Sequence, residues 1–116
     1  MTAAYGQALD LVTRVRGVRG AMLVSAGDGL VVAELSMEGI KGSAVAALAA
    51  SLASRVGRAM QAAGLGSSTF WHLQCAAGAL LVVPAASGTL VVAVAEPDVN
   101  VGLVRLELLR VTEALA

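Results

Sequence analysis

The strongest constraint on the fold comes from a hairpin pattern near the amino terminus. Residues 20–35 read GAMLVSAGDGLVVAEL, in which two apolar runs flank Gly27-Asp28-Gly29. Asp-Gly supplies the positive φ angles that a two-residue hairpin turn needs, so the segment is predicted to be a β-hairpin. Helical patterns lie on both sides of it and three further strand patterns follow, which leaves few architectures open.

Three segments show helical spacing of their apolar residues. Residues 3–16 predict a first amphipathic helix. Residues 43–63 predict the longest helix, with Gly64 expected as its C-cap. Residues 99–115 predict the last helix, with Asp98 expected as its N-cap. A loop over residues 36–42 is expected to join the hairpin to the long helix.

Three strand patterns follow the long helix, at residues 68–75, 79–83 and 89–95. The last two are continuously apolar, which is typical of strands covered on both faces. The first alternates with polar residues and suits a sheet edge or an interface. The order α-β-β-α-β-β-β-α predicts one three-layer α/β domain over residues 1–116. Its five-stranded, mainly antiparallel sheet carries one helix on one face and two on the other.

The composition indicates an interface. Hydrophobic residues make up 58% of the 116 residues and charged residues 14%, against roughly 45–50% and about 25% in an ordinary globular domain. A chain this small cannot hide that surplus in its own core, so contact with another chain is expected. Eight basic and eight acidic residues balance, and this gives no basic patch for nucleic acid.

The sequence gives no sign of membrane insertion or export. Residues 59–95 carry no formal charge, but Gln, Gly, Ser and Pro break this stretch into pieces of strand length. The amino-terminal residues lack the continuous apolar core of a signal peptide. The protein is therefore expected to be cytoplasmic.

The long helix has two contrasting stripes. The larger stripe is predicted to cover the sheet and consists of Val45, Leu48, Ala49, Leu52, Val56, Ala59, Met60 and Ala63. The stripe beside it contains only small residues, which would let a second helix approach closely: Ala46, Ala50, Ala53 and Gly57. The remaining face holds three candidate partner contacts, Arg55, Arg58 and Gln61.

The sequence offers no constellation for catalysis. The single histidine, His72, and the single cysteine, Cys75, lie three apart on a predicted strand and so point to opposite faces. Cys75 is expected to be a small buried hydrophobe. No nucleophile elbow, metal-ligand set or phosphate-binding loop is present. No catalytic, cofactor-binding or metal-binding residue is predicted, and the protein is not expected to be an enzyme.

Four features together resemble the roadblock / dynein light-chain family. Gly17-Val18-Arg19-Gly20-Ala21 leads directly into a strand, and Asp28-Gly29 turns the first hairpin. An alanine-rich helix follows. Residues 78–83 and 90–94 then form two apolar strands before a terminal helix. The resemblance spans nearly the whole chain. Within the family, the chain resembles the bacterial, MglB-like members.

The resemblance implies a dimer that binds a GTPase. Members of the family pair their third strands across a two-fold axis, with the central helices side by side, and many act on Ras-like small GTPases. It implies a homodimeric regulatory or adaptor module that binds an MglA-like GTPase. The expected dimer interface is Ala46, Ala50, Ala53, Gly57, Phe70, Trp71, His72 and Leu73. The alternatives are a PAS-like small-molecule sensor and a light-chain or scaffold subunit without a GTPase partner.

Overall fold

A computed structural model describes residues 2–35 and 37–115 of the chain. Its helices are α1 (Thr2–Thr13), α2 (Gly42–Ala62) and α3 (Val101–Leu115). Its strands are β1 (Val18–Ser25), β2 (Val31–Leu35), β3 (Trp71–Gln74), β4 (Ala79–Pro84) and β5 (Thr89–Ala95). The predicted element order is confirmed. Ser36, the first residue of the predicted loop, and the two terminal residues of the predicted domain lie outside the described residues.

The five strands form one sheet in the order β2-β1-β5-β4-β3, and all four neighbouring pairs are antiparallel. β5 lies in the centre, where Val92 is opposite Met22 of β1 on one side and Val82 of β4 on the other. β2 and β3 are the two edge strands. The third strand, whose alternating pattern suited an edge or an interface, therefore lies at an edge.

The helices cover the sheet unequally, as expected. α1 and α3 share one face, where their apolar residues join Leu23, Leu81 and Val91 of the sheet in a buried cluster. α2 alone covers the other face, over Met22 and Val92. The inner strands β4 and β5 are consequently buried from both sides.

A glycine ends α2 but not α1. α1 stops at Thr13, three residues earlier than predicted, and Gly17, with a φ of +94°, lies in the connection that follows. Gly64 has a φ of +75° just after α2. Its N–H donates to the carbonyl of Gln61, and the next N–H, of Leu65, donates to that of Met60. This pair of bonds is a Schellman motif, so the predicted helix end at Gly64 is confirmed.

The expected N-cap of α3 is wrong. The side chain of Asn100, not of Asp98, accepts the N–H of Leu103 at 3.0 Å. The backbone between Glu96 and Val99 is still closing a turn, with a hydrogen bond of 3.2 Å from the Val99 N–H to the Glu96 carbonyl. The helix therefore starts two residues later than the sequence pattern indicated, and the amide side chain next to it takes the capping role.

The connection between β1 and β2 is longer than a two-residue turn. It spans residues 26–30 and is closed by the Ser25 N–H, which donates to the Leu30 carbonyl at 2.9 Å. Gly29 alone in this connection has a positive φ, of +72°, whereas a type I′ turn needs two such residues. The hairpin prediction is correct, and the predicted turn type is wrong.

β3 is shorter than the predicted strand over residues 68–75. It ends at Gln74, and Cys75 begins the turn to β4 with its N–H donating to the Gly78 carbonyl at 2.8 Å. The Cys75 side chain is exposed, so the expectation of a buried cysteine is wrong. No helix in the described part of the chain is both long and apolar enough to cross a membrane.

Candidate interaction surface on α2 and β3

The structure divides the sheet contact between the two α2 stripes. Ala46 of the small stripe and Ala49 of the larger stripe are both 0% exposed and pack in one cluster with the sheet. Ala50 is also buried, next to Gly29 of the β1–β2 connection. Leu48, predicted to cover the sheet, is 52% exposed. Of the larger stripe only Ala49 is fully buried, whereas Ala59 and Ala63 are exposed.

The burial of these alanines follows from the volumes across the contact. The sheet presents Met22, Val24 and Val92 to α2, and these side chains already fill the space between the layers. Small residues on the helix let its backbone come close enough to pack against them. Ala46 therefore has no surface to offer a second copy, since its contacts lie within its own chain. In the sequence, the large residues of the strands were the signal that the helix packed on them needs small residues.

The larger α2 side chains instead border an apolar groove along β3. Leu52, Val56 and Met60 form one wall. The other wall is formed by residues that precede or belong to β3: Ser68, Phe70, Trp71, His72 and Leu73. The cavity volume is about 310 Å³, and Leu73 is 41% exposed. We call this the β3 groove; its strand wall contains Phe70, Trp71, His72 and Leu73 of the expected interface, and its helix wall contains none of the expected residues.

The two adjacent aromatic residues divide between the two faces of the sheet. Phe70 packs against the cluster on the α1/α3 face, and the guanidinium of Arg105 lies 5.5 Å from its ring centroid. Trp71 packs against the α2 cluster, and its indole N–H donates to Ser68 Oγ at 2.9 Å. Trp71 is therefore held at the base of the β3 groove.

Side-chain hydrogen bonds brace the end of β3. The Gln74 amide donates to the Pro97 carbonyl at 2.7 Å, which turns its Oε1 toward His72 Nε2, 3.0 Å away. Because that oxygen can only accept, Nε2 of His72 carries the proton in this arrangement. His72 is exposed and makes a structural contact along the edge strand.

The basic candidates line a second, polar depression on α2. Arg55 and Arg58 face the β1–β2 connection across a cavity of about 400 Å³, which also includes Ser51, Ser54 and the backbone of residues 26–29. We call this the turn cleft. Gln61 lies apart from it, in a smaller depression of about 260 Å³ with Ala53 and Gly57. The three residues predicted to share one face thus belong to two surfaces.

The chemistry of these surfaces suits binding. In residues 2–35 and 37–115, no three His, Cys, Asp or Glu side chains gather closely enough to hold a metal ion. The β3 groove supplies apolar area beside unpaired strand backbone, and the turn cleft supplies guanidinium and hydroxyl groups. Both features are typical of surfaces that contact other macromolecules.

The three-layer arrangement defines a small α/β module in which the edge strand β3 and the central helix α2 border one groove. The Roadblock/LC7 domain family model matches residues 5–95 of the chain. The protein belongs to the Roadblock/LC7 domain family. This membership favours a roadblock module over the alternative of a PAS-like small-molecule sensor. A search of curated proteins finds no match to the chain.

Solved structures of bacterial proteins share the fold over nearly the full chain. An MglB with a tetrameric arrangement is 25% identical, with a TM-score of 0.89, covering 99% of this chain and 87% of that one. The gliding protein MglB of Thermus thermophilus is 24% identical, with a TM-score of 0.87 and the same coverages. MglB of Myxococcus xanthus is 19% identical, with a TM-score of 0.85, covering 96% of this chain and 90% of that one. Family and fold together support a small regulatory or adaptor module.

Proposed function

We propose that this protein is a non-catalytic, homodimeric adaptor that binds a Ras-like small GTPase in the cytoplasm and modulates its nucleotide cycle or location. The observation that carries the dimer is the β3 groove, where large apolar side chains lie beside a free strand edge. The GTPase partner rests on membership of the Roadblock/LC7 family and on the likeness to MglB structures.

The proposed dimer pairs β3 with β3 and sets one α2 beside the other. Pairing would satisfy the free backbone N–H and C=O groups of the edge strand, which otherwise invite non-specific association. It would also bury the exposed flank of Leu73 and the groove walls of Leu52 and Val56. Among the predicted interface residues, Phe70, Trp71, His72 and Leu73 remain in this proposal.

The predicted helix seam needs revision. Ala46 and Ala50 are buried within their own chain, so contact between two α2 helices has to use the groove side instead. Ala53 and Gly57 line a depression on the sheet-facing side of α2 rather than the groove. We propose Leu52, Val56 and Met60 as the helix contribution to the interface.

Replacing Val56 with Glu tests the dimer. A carboxylate in the groove would be buried without a partner, so Val56→Glu is expected to give a monomer in light scattering at micromolar concentration. Trp71, the single tryptophan, should then show red-shifted emission. Val32→Glu is the matched control because Val32 is 46% exposed on the other edge strand, and it should keep the dimer mass. A monomeric wild type, or a dimeric Val56→Glu variant that is folded by circular dichroism, would contradict the proposal.

A binding measurement tests the GTPase assignment. The purified dimer is titrated against each Ras-like GTPase of the same organism, loaded either with GDP or with a non-hydrolysable GTP analogue. Because a regulator must distinguish the two states, their dissociation constants are expected to differ by about tenfold or more for the true partner. Absent binding in both states would instead favour a scaffold subunit without a GTPase partner, whereas equal binding would refute control of the nucleotide cycle and leave only a role in location.

A further inference from the structure

The turn cleft combines charge and hydroxyl groups on one stripe of α2. Ser51, Ser54, Arg55 and Arg58 follow the i, i+3, i+4, i+7 spacing that places residues on one side of a helix. All four side chains are exposed. Two guanidinium groups one turn apart, with hydroxyls beside them, form a ready set of donors toward the β1–β2 connection.

Arg55 and Arg58 pair with no acidic side chain among the described residues. In the described part of the chain, carboxylates lie within 4 Å of Arg14, Arg19 and Arg110, but the ion pairs include neither Arg55 nor Arg58. Their charges are therefore available to a group from outside the chain.

The opposite wall of the cleft holds one carboxylate, Asp28. Its Oδ1 accepts the N–H of Leu30 at 3.1 Å and thereby holds the connection in shape. Beside it, Gly27 has open space where a side chain would begin. The cleft thus presents two positive charges on the helix, one negative charge on the loop, and an accessible stretch of backbone between them.

The turn cleft and the β3 groove lie on opposite flanks of α2. At 100° per residue, the cleft residues Ser51 and Ser54 point away from Leu52 and Val56 of the groove. A second copy seated in the groove would leave the cleft open, so the helix can serve two contacts at once.

We infer that the turn cleft receives an acidic segment of the partner protein. A carboxylate of that segment is held by the guanidinium groups of Arg55 and Arg58, since a guanidinium matches a carboxylate with two parallel hydrogen bonds. A compact dianion would bring its whole charge close to Asp28, whereas an extended acidic segment can place its other carboxylates outside the cleft. That the partner is a GTPase rests on the proposed function. The acidic character of the segment is inferred from the cleft alone.

The first test uses the full chain, labelled with ¹⁵N, and hexaglutamate as the probe. Saturable shifts are expected in the amides of residues 27–29 and 51–58, and they should weaken as salt is raised. The double variant Arg55→Gln/Arg58→Gln should bind about tenfold more weakly. Arg105→Gln/Arg110→Gln, which removes two arginines from α3, is the matched control and should bind as the wild type does.

Three results would overturn the inference. Hexaglutamate could cause no shifts, or shifts spread evenly over all basic surfaces. The α3 control could lose as much affinity as the cleft variant. Inorganic phosphate could also bind the same amides at least as tightly as hexaglutamate, which would assign the cleft to a small anion instead.

The second test separates this inference from the proposed function. With the GTPase that the wild type binds, Arg55→Glu/Arg58→Glu is expected to weaken binding about tenfold or more while the dimer mass stays unchanged. Equal binding by wild type and variant would refute the cleft inference and leave the proposed function standing. If the wild type binds no GTPase but hexaglutamate still shifts the cleft amides, the GTPase partner is wrong and the acidic-segment site remains.

Discussion

At the scale of single residues, Gly29 sets the form of the β1–β2 connection. Its φ of +72° lies in the left-handed region, and its N–H donates to the Ser25 carbonyl at 2.9 Å. A Cβ placed there would sit 3.5 Å from Ala47 Cα and from Ala50 Cβ on α2. The residue therefore allows both the backbone turn and the close seat of the connection against the helix.

Gly29→Ala is expected to lower the free energy of unfolding by about 1–2 kcal/mol, because an L side chain in the left-handed region is strained. Gly27→Ala is the matched control in the same connection, with no positive φ and open space around its Cβ position. It should change stability by less than about 0.5 kcal/mol. Urea denaturation of the three proteins measures both effects, and equal losses would contradict the role given to Gly29.

A second single residue, Asn100, fixes the start of α3. Asn100→Ala removes the side-chain acceptor for the Leu103 N–H, and the expected cost is about 1 kcal/mol. Asp98→Ala, two residues earlier, should be nearly neutral because Asp98 does not cap the helix. Thermal denaturation at neutral pH distinguishes the two variants. A larger loss of stability from Asp98→Ala than from Asn100→Ala would instead support Asp98 as the N-cap.

At the scale of elements, α2 shows that a helix can pack against a sheet mainly through alanines. Alanines on its underside lie against Met22 and Val92, while Leu52 and Val56 are left to border the β3 groove. A stripe of small residues is thus an adaptation to large side chains in the sheet. The larger stripe becomes the candidate contact with another molecule, and this explains where part of the apolar surplus goes.

Ala46→Leu tests this packing. The added atoms have no room beneath the helix, so the free energy of unfolding should fall by about 1–3 kcal/mol. Ala44→Leu is the matched control on the exposed side of the same helix, where helix propensity changes little. Chemical denaturation at one fixed protein concentration separates folding from association. A stable, fully folded Ala46→Leu variant would show that α2 sits farther from the sheet.

At the scale of the whole molecule, a composition of 58% hydrophobic residues meets a fold whose edge strand β3 borders an apolar groove. Leu73 of that strand remains 41% exposed. If the dimer forms there, folding and association are linked, and stability depends on protein concentration.

The thermal midpoint of the wild type is accordingly expected to rise with concentration. Each tenfold increase adds about 1.4 kcal/mol per mole of dimer. The monomeric Val56→Glu variant should show no such rise, and its midpoint should lie below that of the wild type. Differential scanning calorimetry over a wide range of protein concentration measures this. A wild-type midpoint independent of concentration would count against a dimer held together by the β3 groove.

The sequence alone determined the kinds of element, their order and the sheet positions of several strands. Helical and strand periodicities are local, so three helices and five strands could be read from neighbouring residues. The unbroken apolar runs at residues 79–83 and 89–95 placed these strands inside the sheet, and the alternating run at residues 68–75 placed the third strand at its edge. These predictions needed no knowledge of which residues of different elements pack against one another.

Only the tertiary structure decided which side of α2 faces the sheet and where the candidate contacts gather. The pattern favoured the larger stripe for the core, but burial depends on the volumes supplied by distant strands, such as those of Met22 and Val92. Arg55 and Asp28 likewise share a cleft because the fold brings the helix beside a connection more than twenty residues away in the chain. Such long-range fits are properties of the packed chain, and local periodicity does not contain them.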